Sequence, residues 1–269
     1  MTEEQADTTE QVRGYYQRLD IGEWNRFERP LQRIEFLSTL RLIDKYLPNQ
    51  GEACDIGAGP GRYSVELLRR GLKVTLFDLS PNLLSIARDH IARAGLTASA
   101  FYTGDARDMS LFGDQLFDVV LVMGPLYHLK EPHHRIRVLS ESRRIMRKGG
   151  RGLVAYLNGW GLIRTGITDF PSRYEDAGFV QSMFAESGLD IWHWSNPIAA
   201  TTEIKQAGFE VLAYGGMEGL AGGMAALIEK FAAEHPGAFE NLVQAAVESS
   251  ELPQYRDATD HLHFVVTRN

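Results

Sequence analysis

The sequence predicts an α/β fold, and three observations carry that prediction. A short apolar run, Glu52 to Ile56, passes into alternating glycines and then into a helix-like stretch, Tyr63 to Arg70. Strand-like runs recur at Lys73–Phe77, Ala98–Tyr102 and Phe117–Met123, with segments of helical spacing between them. The run Val119-Val120-Leu121-Val122 has the unbroken apolarity of a strand buried on both faces of a parallel sheet. Alternation of this kind wraps a parallel sheet in two layers of helices, a doubly wound arrangement.

Composition narrows the function. The chain has 269 residues and 44% hydrophobic content, enough for one large domain or one domain with a cap. Lys and Arg total 28 against 35 Asp and Glu, a net charge of −7. That balance lacks the basic face of a nucleic-acid binder, so a small-molecule or protein substrate is expected. The single cysteine, Cys54, excludes an internal disulfide or a cysteine-rich metal site, and reads as a small buried hydrophobe. No stretch approaches the ~20 apolar residues of a membrane span, and the acidic start resembles no signal peptide. A cytoplasmic protein is the expectation.

The glycine turn decides between ligands. Glycines there permit positive φ and let a ligand approach the backbone. A dinucleotide site uses G-x-G-x-x-G, whose last small residue packs helix on strand. Here Gly57, Gly59 and Gly61 run G-x-G-x-G, and Arg62 fills the sixth position. Asp55, just before the turn, suits a cation better than a pyrophosphate. The pattern Asp55-x-Gly57-x-Gly59-x-Gly61 resembles the first motif of the class I S-adenosylmethionine-dependent methyltransferases.

Three later spans agree with that resemblance. Lys73 to Asp78 reads as a strand ending in an acid 23 positions beyond Asp55, near the offset of a ribose-gripping carboxylate. Ser80-Pro81 then start a helix as N-cap and first helical residue. Asp105, after the third strand, matches the family's adenine-reading acid; Ala106 supplies the neighbouring amide, and Asp108 is expected to be a helix cap. After the strongest strand comes Gly124-Pro125-Leu126-Tyr127-His128-Leu129, very similar to a stretch common in such methyltransferases. Ligands in open α/β sheets bind beyond the carboxyl ends of strands, so this loop faces the reacting centre.

The resemblance implies a Rossmann-like sheet of seven strands with the last antiparallel, and S-adenosylmethionine as cofactor. It places Asp55, Gly57, Ala58, Gly59, Gly61, Asp78, Leu79, Asp105, Ala106, Met123, Gly124 and His128 around that cofactor. His128 with Tyr127 is the nearest candidate base, against a plain structural or cofactor-contacting histidine. Neither an N-P-P-Y tetrad nor a strand-end metal-binding acid is present, so no metal is expected.

The flanks complete the layout. Residues 1–12 read as frayed. The rest of 1–48 forms a helical lid, in which Tyr16 and Arg26 either close over the methionine end or simply pack. The core spans 49–157, with Pro132 to Lys148 as a helix and Gly152 to Leu157 as a strand. Residues 158–199 depart from the alternation and read as a cap. There Trp160, Trp192 and Trp194 either pack against the core or line an apolar substrate pocket. Residues 200–269 complete the sheet, with a helix opening at Thr201, an A-G-F-E-V turn and a last strand from His261, which is placed near the substrate mouth. An alanine-rich helical insert, holding Ala225, Ala226, Ala232, Ala233, Ala245 and Ala246, serves close helix packing or a homodimer contact. The expected activity is methyl transfer to an O, N, S or C nucleophile of a small molecule. The alternatives are aminocarboxypropyl transfer or cyclisation releasing methylthioadenosine, or a non-catalytic cofactor-binding role.

Overall fold

The computed structural model describes residues 3–18 and 21–269. Three helices, α1 (Glu3–Arg18), α2 (Ile21–Asn25) and α3 (Pro30–Tyr46), precede β1 (Glu52–Ile56). The alternation follows: α4 (Arg62–Arg69), β2 (Lys73–Asp78), α5 (Pro81–Arg93), β3 (Ala100–Thr103), β4 (Phe117–Val122), α6 (Pro132–Ile145) and β5 (Met146–Leu157). Next come α7 (Gly159–Asp169), α8 (Ala177–Ser182) and a hairpin of β6 (Ser187–Leu189) and β7 (Trp192–Trp194). The chain finishes with α9 (Pro197–Gln206), β8 (Glu210–Gly216), α10 (Ala225–Glu234), α11 (Pro236–Ser249), α12 (Pro253–Arg256) and β9 (His261–Thr267).

Seven strands form the main sheet in the order β3-β2-β1-β4-β5-β9-β8. All pairings are parallel except those of β9, which runs antiparallel to both β5 and β8. Strand order reverses between β1 and β4, so the helices that follow these two strands leave on opposite faces. A crevice opens between them at the carboxyl ends.

The period-two alternation of strand side chains divides the core into two layers. Cys54, Ile56, Val120, Val122 and Val154 pack under α6 and α9 with Val138, Leu139 and Ile204. Ala53, Val119, Leu121 and Leu153 face the other way, against Leu42 and Ile43 of α3, Val65 of α4 and Ala87 of α5. Cys54 is the small buried hydrophobe expected.

A satellite core joins α3 to the late helices. Leu31 and Ile34 meet Ile228, Phe239, Val243 and Ala246 there. The alanine faces therefore split: Ala225, Ala232 and Ala246 pack inside, while Ala226, Ala233 and Ala245 are exposed.

Four boundaries differ from expectation. Helix α1 begins at Glu3, so most of the segment read as frayed is helical, and Met1 and Thr2 lie outside the described residues. Helix α6 ends at Ile145, because β5 already pairs with Phe117 at Met146 and bulges through Gly149 before regaining register at Arg151. Helix α9 starts at Pro197, four residues before Thr201, because Asn196 caps it by accepting from the amides of Ile198 and Ala199. Asp108 caps no helix; its carboxylate accepts from Ser110 in a turn.

Gly152 lies where β4 and β5 pass closest, and a Cβ there would collide with the Val120 carbonyl. Gly152→Ala is expected to destabilise the fold by about 1–3 kcal/mol, the cost of overpacking. The urea unfolding midpoint checks this, and an unchanged midpoint would contradict the tight β4–β5 approach.

Candidate active site

The crevice is floored by the glycine turn. Gly57, Gly59 and Gly61 all take positive φ (75°, 52° and 85°), and a Cβ on Gly57 would meet Pro125 Cδ at 2.6 Å. Gly59, by contrast, faces open space. Asp78 holds this shape: its Oδ2 accepts from the Gly59 amide at 2.8 Å and its Oδ1 from the Ser80 amide at 2.7 Å. Ser80 caps α5 in turn, accepting from Leu83. One carboxylate thus shapes the turn and starts the next helix. Burial raises its pKa despite those backbone bonds.

Above the turn lies a cavity of about 500 Å³. Asp78, Leu79, Asp105, Ala106, Met123 and Gly124 line one side, and Tyr127 and His128 from the turn Pro125–His128 line the end. The N-terminal helices form the roof, through Thr9, Val12, Tyr16, Glu23 and Arg26. Two hydrogen bonds fasten α1: Arg107 Nη2 donates to Thr9 Oγ1 at 2.6 Å, and Tyr16 Oη lies 2.8 Å from His128 Nε2.

The His128 tautomer follows from its neighbours. Nδ1 faces the Ile191 carbonyl at 3.0 Å, and a carbonyl only accepts, so Nδ1 carries the proton. Nε2 therefore accepts from the Tyr16 phenol. Burial lowers His128 to about 4, against the opposing effect of the Ile191 bond, and burial pushes Tyr16 well above the ordinary phenol value. At neutral pH the pair is an uncharged hydrogen-bonded couple, with Trp192 tilted over the imidazole at 4.8 Å between ring centroids.

Comparison with known proteins now bears on this site. Residues 53–150 match the model of a methyltransferase domain. The chain is 30% identical over 153 residues to a magnesium-protoporphyrin O-methyltransferase of Rhodobacter capsulatus, covering 52% of this chain and 66% of that one. It is 26% identical over 189 residues to a demethylmenaquinone methyltransferase of Thermobifida fusca, covering 66% and 75%. The chain spans between about half and three quarters of the length of the first curated relatives it matches. A Thermotoga maritima structure described as an S-adenosylmethionine-dependent methyltransferase, possibly acting on histamine, shares the fold with a TM-score of 0.56. It has 20% identity and covers 93% of this chain and 96% of that one.

The chain belongs to the class I S-adenosylmethionine-dependent methyltransferases. Its cofactor is S-adenosylmethionine, and the residues of this methyltransferase fit that molecule. The glycine turn borders the cavity through Gly57 and Gly59, with open space where a Cβ on Gly59 would stand, and two buried polar atoms beside it, Arg26 Nε and Asp55 Oδ1, have no hydrogen-bond partner among the described residues. Asp78 and Asp105 face the same space.

Not every expected residue reaches the cavity. Asp55 lies under the turn, 1% exposed, with Ser64 Oγ donating to it at 2.6 Å; burial, eased by that bond, lifts it to about 7. It does not line the cavity. Gly61 likewise turns the chain into α4 without lining the space. Asp105 lines it, but both its oxygens accept from Arg107 Nε, at 3.0 and 3.1 Å. Burial alone would raise Asp105, and Arg107 outweighs it. Arg62 turns into an aromatic cage, 4.7 Å over Trp24 and 5.0 Å over Phe36, with Trp24 stacked on His90 at 3.5 Å. The bulky sixth residue thus pins the roof to the cofactor unit.

Three expected substrate residues lie elsewhere. Trp194 is 4% exposed and its Nε1 donates to the Ser182 carbonyl, a packing role within the cap. Trp160 points to the Phe184 carbonyl and lines no part of the cavity. His261 sits in a buried charge cluster, where its Nδ1 donates to Glu218 at 2.6 Å. Trp192 stands behind His128, so it shapes the site without lining the cavity.

That cluster is what sequence reading missed. Arg26 donates two bonds to Glu35, at 2.8 and 2.9 Å, and Glu35 lies 3.9 Å from His261. Burial alone would raise Glu35, but Arg26 and His261 outweigh it and bring it to about 2. Burial works against charge on His261, yet Glu35 and Glu218 raise it to about 9. A pKa above the ordinary 6.5 means that the cluster's stabilisation is complete below pH 6.5 and is lost as pH rises through 9. Thermal unfolding is expected to lose on the order of 3 kcal/mol across that window. His261→Gln should flatten the slope between pH 6.5 and 9, and an identical slope in the variant would contradict the assignment.

Proposed function

We propose that the protein transfers a methyl group from S-adenosylmethionine to an O, N, S or C nucleophile of a small-molecule acceptor. The observation that carries this reading is the roofed cavity at the carboxyl ends of β1, β2 and β4. It joins the Gly57–Gly59 turn and Asp78 to the uncharged Tyr16–His128 couple. The relatives named as O-methyltransferases, of magnesium-protoporphyrin and of ubiquinone biosynthesis, favour an acceptor oxygen.

The cofactor, when bound, supplies an electrophilic methyl group on a positively charged sulfur. The chain's own residues then have three tasks. Asp78, with lone pairs left beyond its two backbone bonds, accepts from the ribose hydroxyls. Arg26 and the glycine turn hold the methionine end, and the partly engaged Asp105 with Ala106 meets the adenine. Tyr16, Tyr127 and the roof exclude water, so that donor and acceptor stay in line; that positioning accounts for most of what catalysis needs here.

A proton leaving the acceptor is received at Tyr16 Oη, whose own proton passes to His128 Nε2. The couple is a weak base in its buried state, which favours an acceptor that gives up its proton late or easily. The cap, residues 158–199, backs His128 through Ile191 and Trp192. Of the exposed faces, the outward alanines of α10 and α11 are where a homodimer contact would form.

Asp78→Ala is expected to weaken S-adenosylhomocysteine binding by about 1.5–3 kcal/mol, roughly 10- to 150-fold, as measured by calorimetry. Unchanged affinity would remove the ribose assignment. Incubation with S-adenosylmethionine and a panel of phenols, quinols and amines, followed by mass analysis, tests the reaction. Acceptor-dependent S-adenosylhomocysteine supports methyl transfer. Methylthioadenosine released without an acceptor would move the assignment to the non-methylating alternative.

A further inference from the structure

The 125–130 loop and the β6–β7 hairpin meet at one buried guanidinium. Arg135, on the inner face of α6, is 1% exposed. Its Nη1 donates to the carbonyls of Leu129 and Lys130, at 2.9 and 2.7 Å, the two residues directly after His128. Its Nη2 donates to Glu186 Oε1 at 3.2 Å, just before β6. Its Nε donates to both oxygens of Glu203 on α9, at 2.9 and 3.1 Å, and Tyr156 of β5 donates to the same carboxylate at 2.7 Å. A planar fork with donors in fixed directions can join three segments in this way, where an ammonium could not.

Two of the three segments that Arg135 grips also hold His128. One follows it in sequence. The other carries Ile191, whose carbonyl takes the Nδ1 proton and so fixes which nitrogen faces Tyr16. Glu186 is tied further into the hairpin by Ser195 Oγ at 3.2 Å. Buried His193 lies 3.8 Å from Glu186, and burial, together with Arg135, keeps it neutral, so Arg135 is Glu186's charged partner.

We propose that Arg135 is the positioning residue for His128: through Leu129 and Lys130 on one side and Glu186 on the other, it sets the loop and the hairpin so that His128 Nε2 faces the cavity. The inference deepens the methyltransferase reading by naming what couples the cap to the proton-receiving group.

The test uses the full chain, without ligand, and ring-nitrogen NMR of the histidines at pH 7. In the wild type, His128 is expected as the Nδ1–H form. Glu186→Ala removes only the hairpin arm, at a residue that is half-exposed, so the fold is retained. That variant is expected to shift the His128 ring signals toward the Nε2–H form and to speed amide exchange of residues 187–194 by roughly tenfold or more. Arg135→Lys, which keeps the charge and loses the fork, should give the larger shift; if it fails to fold, Glu186→Ala decides alone. Faster hairpin exchange with unchanged His128 signals would make Arg135 a purely structural tie and overturn the proposal, as would no change in either. Titration of the same wild-type sample with S-adenosylhomocysteine separates the two readings, since absent binding counts against the methyltransferase function and leaves the His128 result standing.

Discussion

The site depends on a single carboxylate held against two backbone amides. Asp78 ends β2 at the edge of the crevice and accepts from Gly59 in the preceding turn and from Ser80 in the following one. The first bond keeps the glycine turn in its left-handed shape; the second begins α5. Charge-assisted bonds of this kind are strong where water is scarce. The shape of the cavity floor and the start of a helix are consequences of one side chain. Parallel strand order places that side chain beside the β1–β4 switch point, where the sheet leaves room for a ligand.

The roof is built by different means. Among the described residues, helices α1 and α2 meet the rest of the chain through polar contacts and ring stacking, beside the buried Val12. Thr9 meets Arg107, Tyr16 meets His128, and Trp24 lies between Arg62 and His90. Contacts of this size are each of order 1 kcal/mol. The Arg26–Glu35–His261–Glu218 cluster behind it is different: its charges are buried and mutually compensated, so loss of any one partner strands another. Single polar and ring contacts therefore hold the front of the roof, and a compensated charge cluster holds its back.

Much of the fold was legible because its signals are local. Glycines at 57, 59 and 61, the unbroken apolar run at 119–122, and the Ser80-Pro81 start each report on a few consecutive residues, and all are found in place. The resemblance supplied the antiparallel β9, which no local pattern requires. Site residues next to those signals, Asp78, Asp105, Met123, Gly124 and His128, also line the cavity as expected. What failed depended on long-range packing. Nothing in the sequence around His261 reveals Glu35 and Glu218, which come from distant parts of the chain. Trp160 and Trp194 are aromatic wherever they point, and only the cap's own fold turns them inward on it. Arg135 stands among several basic residues on α6; its place three and four positions before Val138 and Leu139, on the same helix face as both, was the faint signal that it faced the core.

The most direct test of the central claim, that the roofed crevice binds the sulfur nucleoside and that α1 is its lid, is amide hydrogen exchange with and without S-adenosylhomocysteine. The account predicts protection in three stretches of the floor, residues 57–61, 78–80 and 104–107, together with residues 9–16 of α1. Protection confined to the floor would contradict the lid. No protection in either would contradict the site itself.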